Sequence, residues 1–244
     1  MSQAKRADLL LVERGFYESR ARAQAAIAAG LVRVNGEALT KASRPIDAAA
    51  AIEAEAEHPY VSRGGVKLAA ALDHFAIDPH DRVCLDVGAS TGGFTDLLLK
   101  RGARFIYAVD VGHDQFHPSL RDDPRVKMRE GCDARNLSCD DFNEAPSLIV
   151  IDVSFISLTL IIPKILSLAA SQSFLVALIK PQFEVGRGAL KKGIVRDEAA
   201  RQDAIMRVTQ TITQEGWGIQ GMIPSPIAGG DGNLEYLVAA GRRA

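Results

Sequence analysis

Val83-Cys84-Leu85-Asp86-Val87 is a nearly unbroken apolar run that ends abruptly in Gly88-Ala89-Ser90-Thr91-Gly92-Gly93-Phe94, and helical periodicity resumes over Thr95–Arg101. A short apolar run, a glycine-rich turn and a helix make a unit that brings backbone close to a ligand. Further runs follow at Phe105–Asp110, Val126–Met128, Leu148–Asp152 and Phe174–Ile179, with helical stretches at about Leu158–Ser167 and Asp197–Glu215 between or after them. These runs are continuous rather than alternating, so both faces of each strand are covered. The pattern predicts an α/β domain built on a doubly wound parallel sheet, with its ligand at the carboxyl ends of the strands.

The chain has 244 residues, and domains usually run roughly 100–200 residues, so a second, smaller domain precedes this one. Asp47–Glu57 is rich in Ala and Glu and ends at His58-Pro59. It is read as the last strand of the small unit, passing into a linker from about residue 53. Domains are therefore expected over residues 1–57 and 60–244. Met1–Arg44 carries eight Lys and Arg against four Asp and Glu, a net +4 in a chain whose total is −1, which leaves −5 for the remainder. A basic module on an acidic body points to a polyanionic partner.

Within the module, Asp8–Arg14 reads as a short helix closed by Gly15, and Ser19–Ala29 as a second with Ser19 at its N-cap and Gly30 after its end. Leu31–Val34 alternates as a strand, and Asn35-Gly36 is a hairpin turn. Arg6-x-Asp8-x-x-Leu11, Gly15, Ser19-Arg20-x-x-Ala23, Ile27-x-x-Gly30-x-Val32-x-Val34-Asn35-Gly36 and Lys41 resemble the α+β RNA-binding domain first seen in ribosomal small-subunit protein S4, over about Lys5–Ile52. The resemblance implies that the second helix and the hairpin face RNA, with Arg6, Arg20, Arg22, Arg33 and Lys41 as its contacts.

Gly88-x-Ser90-x-x-Gly93 lacks the middle glycine of a dinucleotide fingerprint, and no G-x-x-x-x-G-K-[ST] occurs. Asp86-x-Gly88-Ala89-x-x-Gly92-Gly93-Phe94 followed by Asp110 resembles instead the S-adenosylmethionine site of class I (Rossmann-like) methyltransferases. That resemblance implies a seven-stranded mixed sheet. It also implies a cofactor site of Asp86, Gly88, Ala89, Ser90, Thr91, Gly92, Gly93, Phe94, Asp110, Asp133 and Asp152, with Asp110 on the ribose hydroxyls and Asp133 at the adenine.

The fourth strand ends Asp152-Val153-Ser154-Phe155, without the prolines found in methyltransferases that act on base nitrogens. The fifth ends in Lys180, a late strand begins at Gly232-Asn233-Leu234-Glu235-Tyr236, and Lys67 lies in Tyr60–Leu68. The order Lys67, Asp152, Lys180, Glu235 resembles the tetrad of FtsJ-type RNA 2′-O-methyltransferases. Together with the N-terminal module, the chain resembles the TlyA family of ribosomal-RNA 2′-O-methyltransferases, also known under the name hemolysin. The family implies S-adenosylmethionine as cofactor and ribosomal RNA or ribosomal subunits as partner, with methylation of cytidine ribose in the small or large subunit, or both. A sulfonium donor carries a neutral leaving group and needs no acid, so the enzyme's task is alignment and removal of one proton. Lys180 is the candidate base or orienting group, Lys67 and Glu235 position it, and Asp152 fixes Lys180 and the methyl-donor end.

Arg63 precedes Lys67, and Arg187, Lys191, Lys192 and Arg196 lie in a glycine-rich stretch after the fifth strand. Arg63, Arg187, Lys191 and Lys192 are further RNA candidates, and the stretch reads equally as a phosphate clamp or as a merely mobile loop. Phe94 and Phe155 are expected in the core or in a pocket wall rather than as platforms for bases. Three cysteines without a C-x-x-C argue against a disulfide framework or a structural zinc, and Pro118 argues against a helical zinc pair from His113 and His117. No apolar stretch approaches the ~18 residues of a membrane span and Met1–Leu10 lacks a signal's apolar run, so a cytoplasmic location is expected and no metal or membrane role. A non-catalytic RNA-binding or ribosome-assembly factor, and less favourably a membrane-active hemolysin, are the alternative readings. The complete tetrad speaks against the first and the missing span and signal against the second.

Overall fold

The computed structural model describes residues 4–17, 19–54, 58–186, 190–229 and 232–242. The chain divides into two compact units, Met1–Pro59 and Tyr60–Ala244.

In the first unit, β1 (Lys5–Arg6) leads into α1 (Ala7–Glu13), and α2 (Arg20–Ala28) starts at Ser19, whose hydroxyl accepts the Arg22 N–H at 3.3 Å. This side-chain oxygen satisfies one of the orphan donors at the helix start. β2 (Val32–Val34) and β3 (Glu37–Ala38) form the hairpin read from Asn35-Gly36, and both turn residues take positive φ, 53° and 80°, as a type I′ turn requires. β4 (Pro45–Ile46) pairs with β1, and β5 (Ile52–Ala54) adds to the free edge of β2. Leu10, Leu11, Ile27, Val32 and Leu39 fill the core. Each such side chain contributes roughly 1.5–3 kcal/mol by leaving water.

The second unit opens with α3 (Gly64–His74) and continues through β6 (Val83–Val87), α4 (Gly93–Lys100), β7 (Phe105–Val109), α5 (Pro118–Arg121) and β8 (Val126–Arg129). Next come β9 (Leu148–Ile151), α6 (Ile162–Leu166), β10 (Ser173–Ile179), α7 (Pro181–Glu184), α8 (Glu198–Gln214), β11 (Gly218–Pro224) and β12 (Tyr236–Arg242). The described residues form a seven-stranded sheet in the order β11-β12-β10-β9-β6-β7-β8, parallel except at β12. It is the mixed α/β sheet expected from the sequence. One core layer packs Leu85, Ile149, Leu175 and Val208 on one face, and another packs Leu72, Leu98, Ile106 and Val150 on the other. Coverage on both faces is why the strands carry continuous apolar runs.

Register positions the functional residues. Val87 lies opposite Val109 and Ile151, while Ile179 lies opposite Tyr236 on the antiparallel neighbour. The residues just past these pairs, Gly88, Asp110, Asp152, Lys180 and Glu235, therefore collect along one edge of the sheet. In the stretch expected as a late strand from Gly232, residues 233–235 are coil, and the strand begins at Tyr236.

Candidate active site

Two cavities meet at this edge. The larger, of about 560 Å³, is bordered by Asp110, Val111, Asp133, Val153 and Phe155, and the smaller, of about 270 Å³, by Arg63, Lys67, Thr91, Phe94 and Lys180. Gly88, Ser90, Asp152 and Ser154 belong to both.

The tetrad is brought together as two ion pairs. Lys180 Nζ lies 2.7 Å from Asp152 Oδ1 and donates to Ser154 Oγ at 2.9 Å. The Asp152 contact is Coulombic rather than a well-angled hydrogen bond, since buried Oδ1 takes none. Lys67, on the first turns of α3, donates to Glu235 Oε2 at 2.5 Å, and both side chains are largely buried. Glu235 stands behind Lys67 and borders neither cavity. Its other oxygen packs so closely beneath Gly229 that a Cβ there would lie 2.1 Å from Oε1.

Gly88 shows why the strand must break into glycine. Its φ is +84°, and a Cβ would fall 2.4 Å from the Asp152 carbonyl oxygen. Gly88→Ala is expected to cost at least about 1–2 kcal/mol from the left-handed backbone alone. It should lower the thermal midpoint by several degrees and weaken donor binding, which differential scanning fluorimetry with and without ligand would read. Gly92 and Gly93 serve packing: a Cβ on Gly92 would strike Leu120 at 2.4 Å, and one on Gly93 would strike the Ser62 hydroxyl at 2.0 Å. Ala89 is buried, Ser90 and Thr91 line the cavities, and Phe94 is a core residue whose edge reaches the smaller one.

Asp110 is fixed from two sides, Oδ2 accepting the Ser90 N–H and Oδ1 the Gly112 N–H, each at 2.7 Å. Both oxygens retain a lone pair, so the carboxylate can receive a pair of hydroxyls. Asp133 is held instead by Arg135, whose backbone and guanidinium N–H groups fill its acceptor directions. The same hydrogen bonds hold its carboxyl down to about 2.

Asp86 lies wholly beneath the loop and borders neither cavity. Thr95 Oγ1 donates to its Oδ2 at 2.6 Å, while Oδ1 is buried without a hydrogen bond. Burial pushes this carboxyl up to about 7 against the Thr95 bonds. Because that exceeds the unfolded value of about 3.9, its contribution to stability is full below about pH 4 and is lost as the pH rises through about 7. Asp86→Asn keeps an acceptor for Thr95 and removes the titration. Melting curves between about pH 5 and 8 should be flatter in the variant by the equivalent of a few kcal/mol; an unchanged profile would place the titration elsewhere.

Of the two places expected for Phe155, core or pocket wall, it takes the second. It is a non-glycine residue with φ +65°, its side chain is 90% exposed on the rim of the larger cavity, and its ring centroid lies 4.9 Å from that of Phe183. Ser154, the second partner of Lys180, is a site residue that sequence reasoning missed; only its place two residues after Asp152 could have marked it.

Among the RNA candidates, Arg63 is exposed at the rim of the smaller cavity. Lys191 and Lys192 sit on a tight turn, with Lys192 and Gly193 at φ +53° and +79° and with reciprocal backbone bonds between Lys191 and Ile194. Asn233 anchors the turn, donating to the Gly193 carbonyl at 3.0 Å and accepting from Val195 N–H at 3.3 Å. Arg187 lies outside the described residues.

In the first unit Asp8 is fully buried and gathers Arg6, which contacts both its oxygens at 3.0 Å, together with Arg20 and Gln24. The Arg6 guanidinium holds this carboxyl well below the usual carboxylate range. Arg6 and Arg20 are thereby oriented while their outer N–H groups stay in solvent. Arg33 and Lys41 are exposed and Arg22 is half-buried.

Among the described residues no group of His, Cys, Asp and Glu is arranged to hold a metal, and no helix is long and apolar enough to cross a membrane. His117 caps α5 by accepting the Ser119 N–H.

The FtsJ-like methyltransferase family matches residues 60–242, and the S4 domain matches residues 5–52. The chain is 41% identical over 241 residues to the 16S/23S rRNA (cytidine-2′-O)-methyltransferase TlyA of Mycobacterium tuberculosis, covering 98% of this chain and 90% of that protein. It is 45% identical over 234 residues to Hemolysin A of Brachyspira hyodysenteriae, covering 95% and 98%. A solved structure provisionally described as a hemolysin from Streptococcus thermophilus superposes with a TM-score of 0.78 at 40% identity, covering 100% of this chain and 90% of that one. With the tetrad paired at the sheet edge and both segments matched in order, the chain belongs to the FtsJ-like methyltransferases, in the TlyA group that joins them to an S4 domain.

Proposed function

We propose that this protein transfers a methyl group from S-adenosylmethionine to the 2′-hydroxyl of a cytidine ribose in ribosomal RNA. The observation that carries the reading is Lys180, which borders the smaller cavity and is held by Asp152 and Ser154, two residues of the wall that both cavities share. One cavity suits the donor and the other the nucleotide, so a lysine beside that wall meets the reacting hydroxyl.

The donor site fits the cofactor by its own chemistry. Asp110 offers two oriented oxygens to a ribose diol, the Gly88 backbone permits close approach, and Val111, Val153 and Ile156 give an apolar wall for a base. When bound, S-adenosylmethionine supplies a methyl group on a sulfonium that departs as a neutral thioether. Asp133, with its carboxylate engaged by Arg135, closes the adenine end.

To accept a proton Lys180 acts as the neutral amine, with one N–H donated to Ser154, Asp152 close beside it, and the lone pair left for the substrate hydroxyl. It orients that hydroxyl for in-line attack and takes its proton as the oxygen–carbon bond forms. Asp152 and Ser154 keep the lysine in place, and Asp152 carries negative charge toward the donor end. Lys67, braced by Glu235, offers an ammonium to the nucleotide from the far wall of the smaller cavity, and Arg63 offers a guanidinium at its rim. The S4 domain supplies sequence-independent affinity through Arg6, Arg20, Arg22, Arg33 and Lys41, joined by Lys191 and Lys192 on their turn.

Isothermal titration with the donor, followed by digestion of treated ribosomal RNA to nucleosides, tests this reading. Donor binding and a new 2′-O-methylcytidine are expected. Donor binding with a base-methylated product would reject the reaction class, and absence of donor binding would favour an RNA-binding assembly factor.

A further inference from the structure

Lys180 does not hold its position through Asp152 and Ser154 alone, because both of its neighbours sit on a loop. The segment after β9, residues 152–158, and the segment after β10, residues 180–184, lie side by side, and neither is regular strand. Glu184 joins them. Its side chain is buried, Oε2 accepts from Ser157 Oγ at 2.5 Å, and Oε1 accepts from Leu158 N–H at 2.8 Å. Ser157 is at the same time the cap of the short 3₁₀ turn Leu158–Leu160, its Oγ accepting the Thr159 N–H at 3.2 Å and lying 2.7 Å from the Thr159 hydroxyl. On its other side, the Glu184 carbonyl oxygen accepts from Arg207 on α8 at 2.7 Å.

We propose that Glu184 is a positioning residue for methyl transfer, a clasp that locks the Lys180 turn to the Asp152–Ser154 loop through Ser157 and Leu158. Glu184 borders neither cavity, so it acts through Lys180 rather than on substrate. The spacing fits this role: α7 is only Pro181–Glu184, with Lys180 at its amino end and Glu184 at its last position. Fixing the last residue of so short a turn fixes the first. Burial pushes the Glu184 carboxyl up, against the bonds from Leu158 and Ser157. Isolated burial of a carboxylate is costly unless it is hydrogen-bonded, and here both oxygens are used to tie two functional loops together.

The clasp rests on the methyltransferase reading above, and its test separates the two. In the full-length protein, Glu184→Ala is expected to lower kcat by about 100-fold, the scale of a displacement near 1 Å, with donor affinity and KM for ribosomal RNA little changed. Glu184→Gln keeps an oxygen for Leu158 and a polar group for Ser157, and should recover most of that loss. Ser154→Ala and Glu184→Ala both act through Lys180, so their combined effect should fall short of the product of the single effects. The chemical shift of ¹³C-labelled Lys180 Cε, which requires no turnover, should move in Glu184→Ala and return in Glu184→Gln. If Glu184→Ala is too unstable to study, Ser157→Ala removes one arm of the clasp and should show the same split in milder form. Wild-type kcat in folded Glu184→Ala, an unmoved Lys180 signal, or fully multiplicative effects with Ser154→Ala would overturn the clasp. A wild-type protein without transfer, together with a Lys180 signal that moves as described, would reject the enzymatic reading and leave the clasp standing.

Discussion

Lys180→Ala is expected to lower kcat for methyl transfer by about 100- to 10,000-fold, the usual contribution of a positioned general base, while donor binding changes little. The asymmetry follows from geometry. The donor cavity is bounded by Asp110, Val111, Asp133 and Phe155, whereas Lys180 borders the smaller cavity. Its removal leaves the donor's contacts in place and takes away the group facing the hydroxyl. The expected pattern is that of an interaction made only in the transition state, with kcat and kcat/KM falling together. Single-turnover transfer with saturating donor would show it. A variant that keeps wild-type turnover would remove Lys180 from the chemistry, and one that loses donor binding would reassign it to the cofactor site.

The second large effect is on RNA affinity. Replacing Arg20, Arg33 and Lys41 together by glutamine in the full-length protein should weaken binding to ribosomal RNA and flatten its salt dependence. Each lost phosphate contact lowers the slope of log K against log salt by roughly 0.7–0.9. All three side chains are exposed, and Asp8 keeps Arg6 and Gln24 when Arg20 is changed, so the core of the unit is untouched. Donor affinity and melting temperature serve as controls. Unchanged affinity and slope across a salt series would mean that RNA is held elsewhere.

The sheet was legible because its strands are covered on both faces. Leu148–Ile151 and Leu175–Ile179 could be read from apolar continuity alone, as could the hairpin from Asn35-Gly36, where two positive φ angles are needed. α3 was not legible as a helix. It opens with Gly64-Gly65, and Arg63 at its N-cap makes no side-chain capping bond, so the usual start signals are missing. β11 was missed for a related reason, since Gly218–Pro224 is an edge strand with glycines at both 218 and 221 and little buried surface.

The tetrad could be read only by resemblance, because its pairing depends on register. Ile179 opposite Tyr236 is what brings the segment after β10 beside the segment before β12, and no local pattern encodes that alignment. Ser154, Phe155 and Glu184 share this limitation. Their importance comes from the loop partners they meet, Lys180, Phe183 and Ser157, rather than from any periodicity of their own. Asp86 differs again: its place before the glycine turn suggested ligand contact, and the structure buries it under Thr95.

The most direct test of the central claim is transfer of tritium from labelled S-adenosylmethionine to purified small and large ribosomal subunits, with the label located by alkaline and nuclease digestion. A 2′-O-methyl group blocks cleavage of the adjacent phosphodiester bond, so the account predicts label in a resistant dinucleotide whose first residue is cytidine, lost when Lys180→Ala replaces the wild type. Label released in a free mononucleotide would place the methyl on a base and contradict the account.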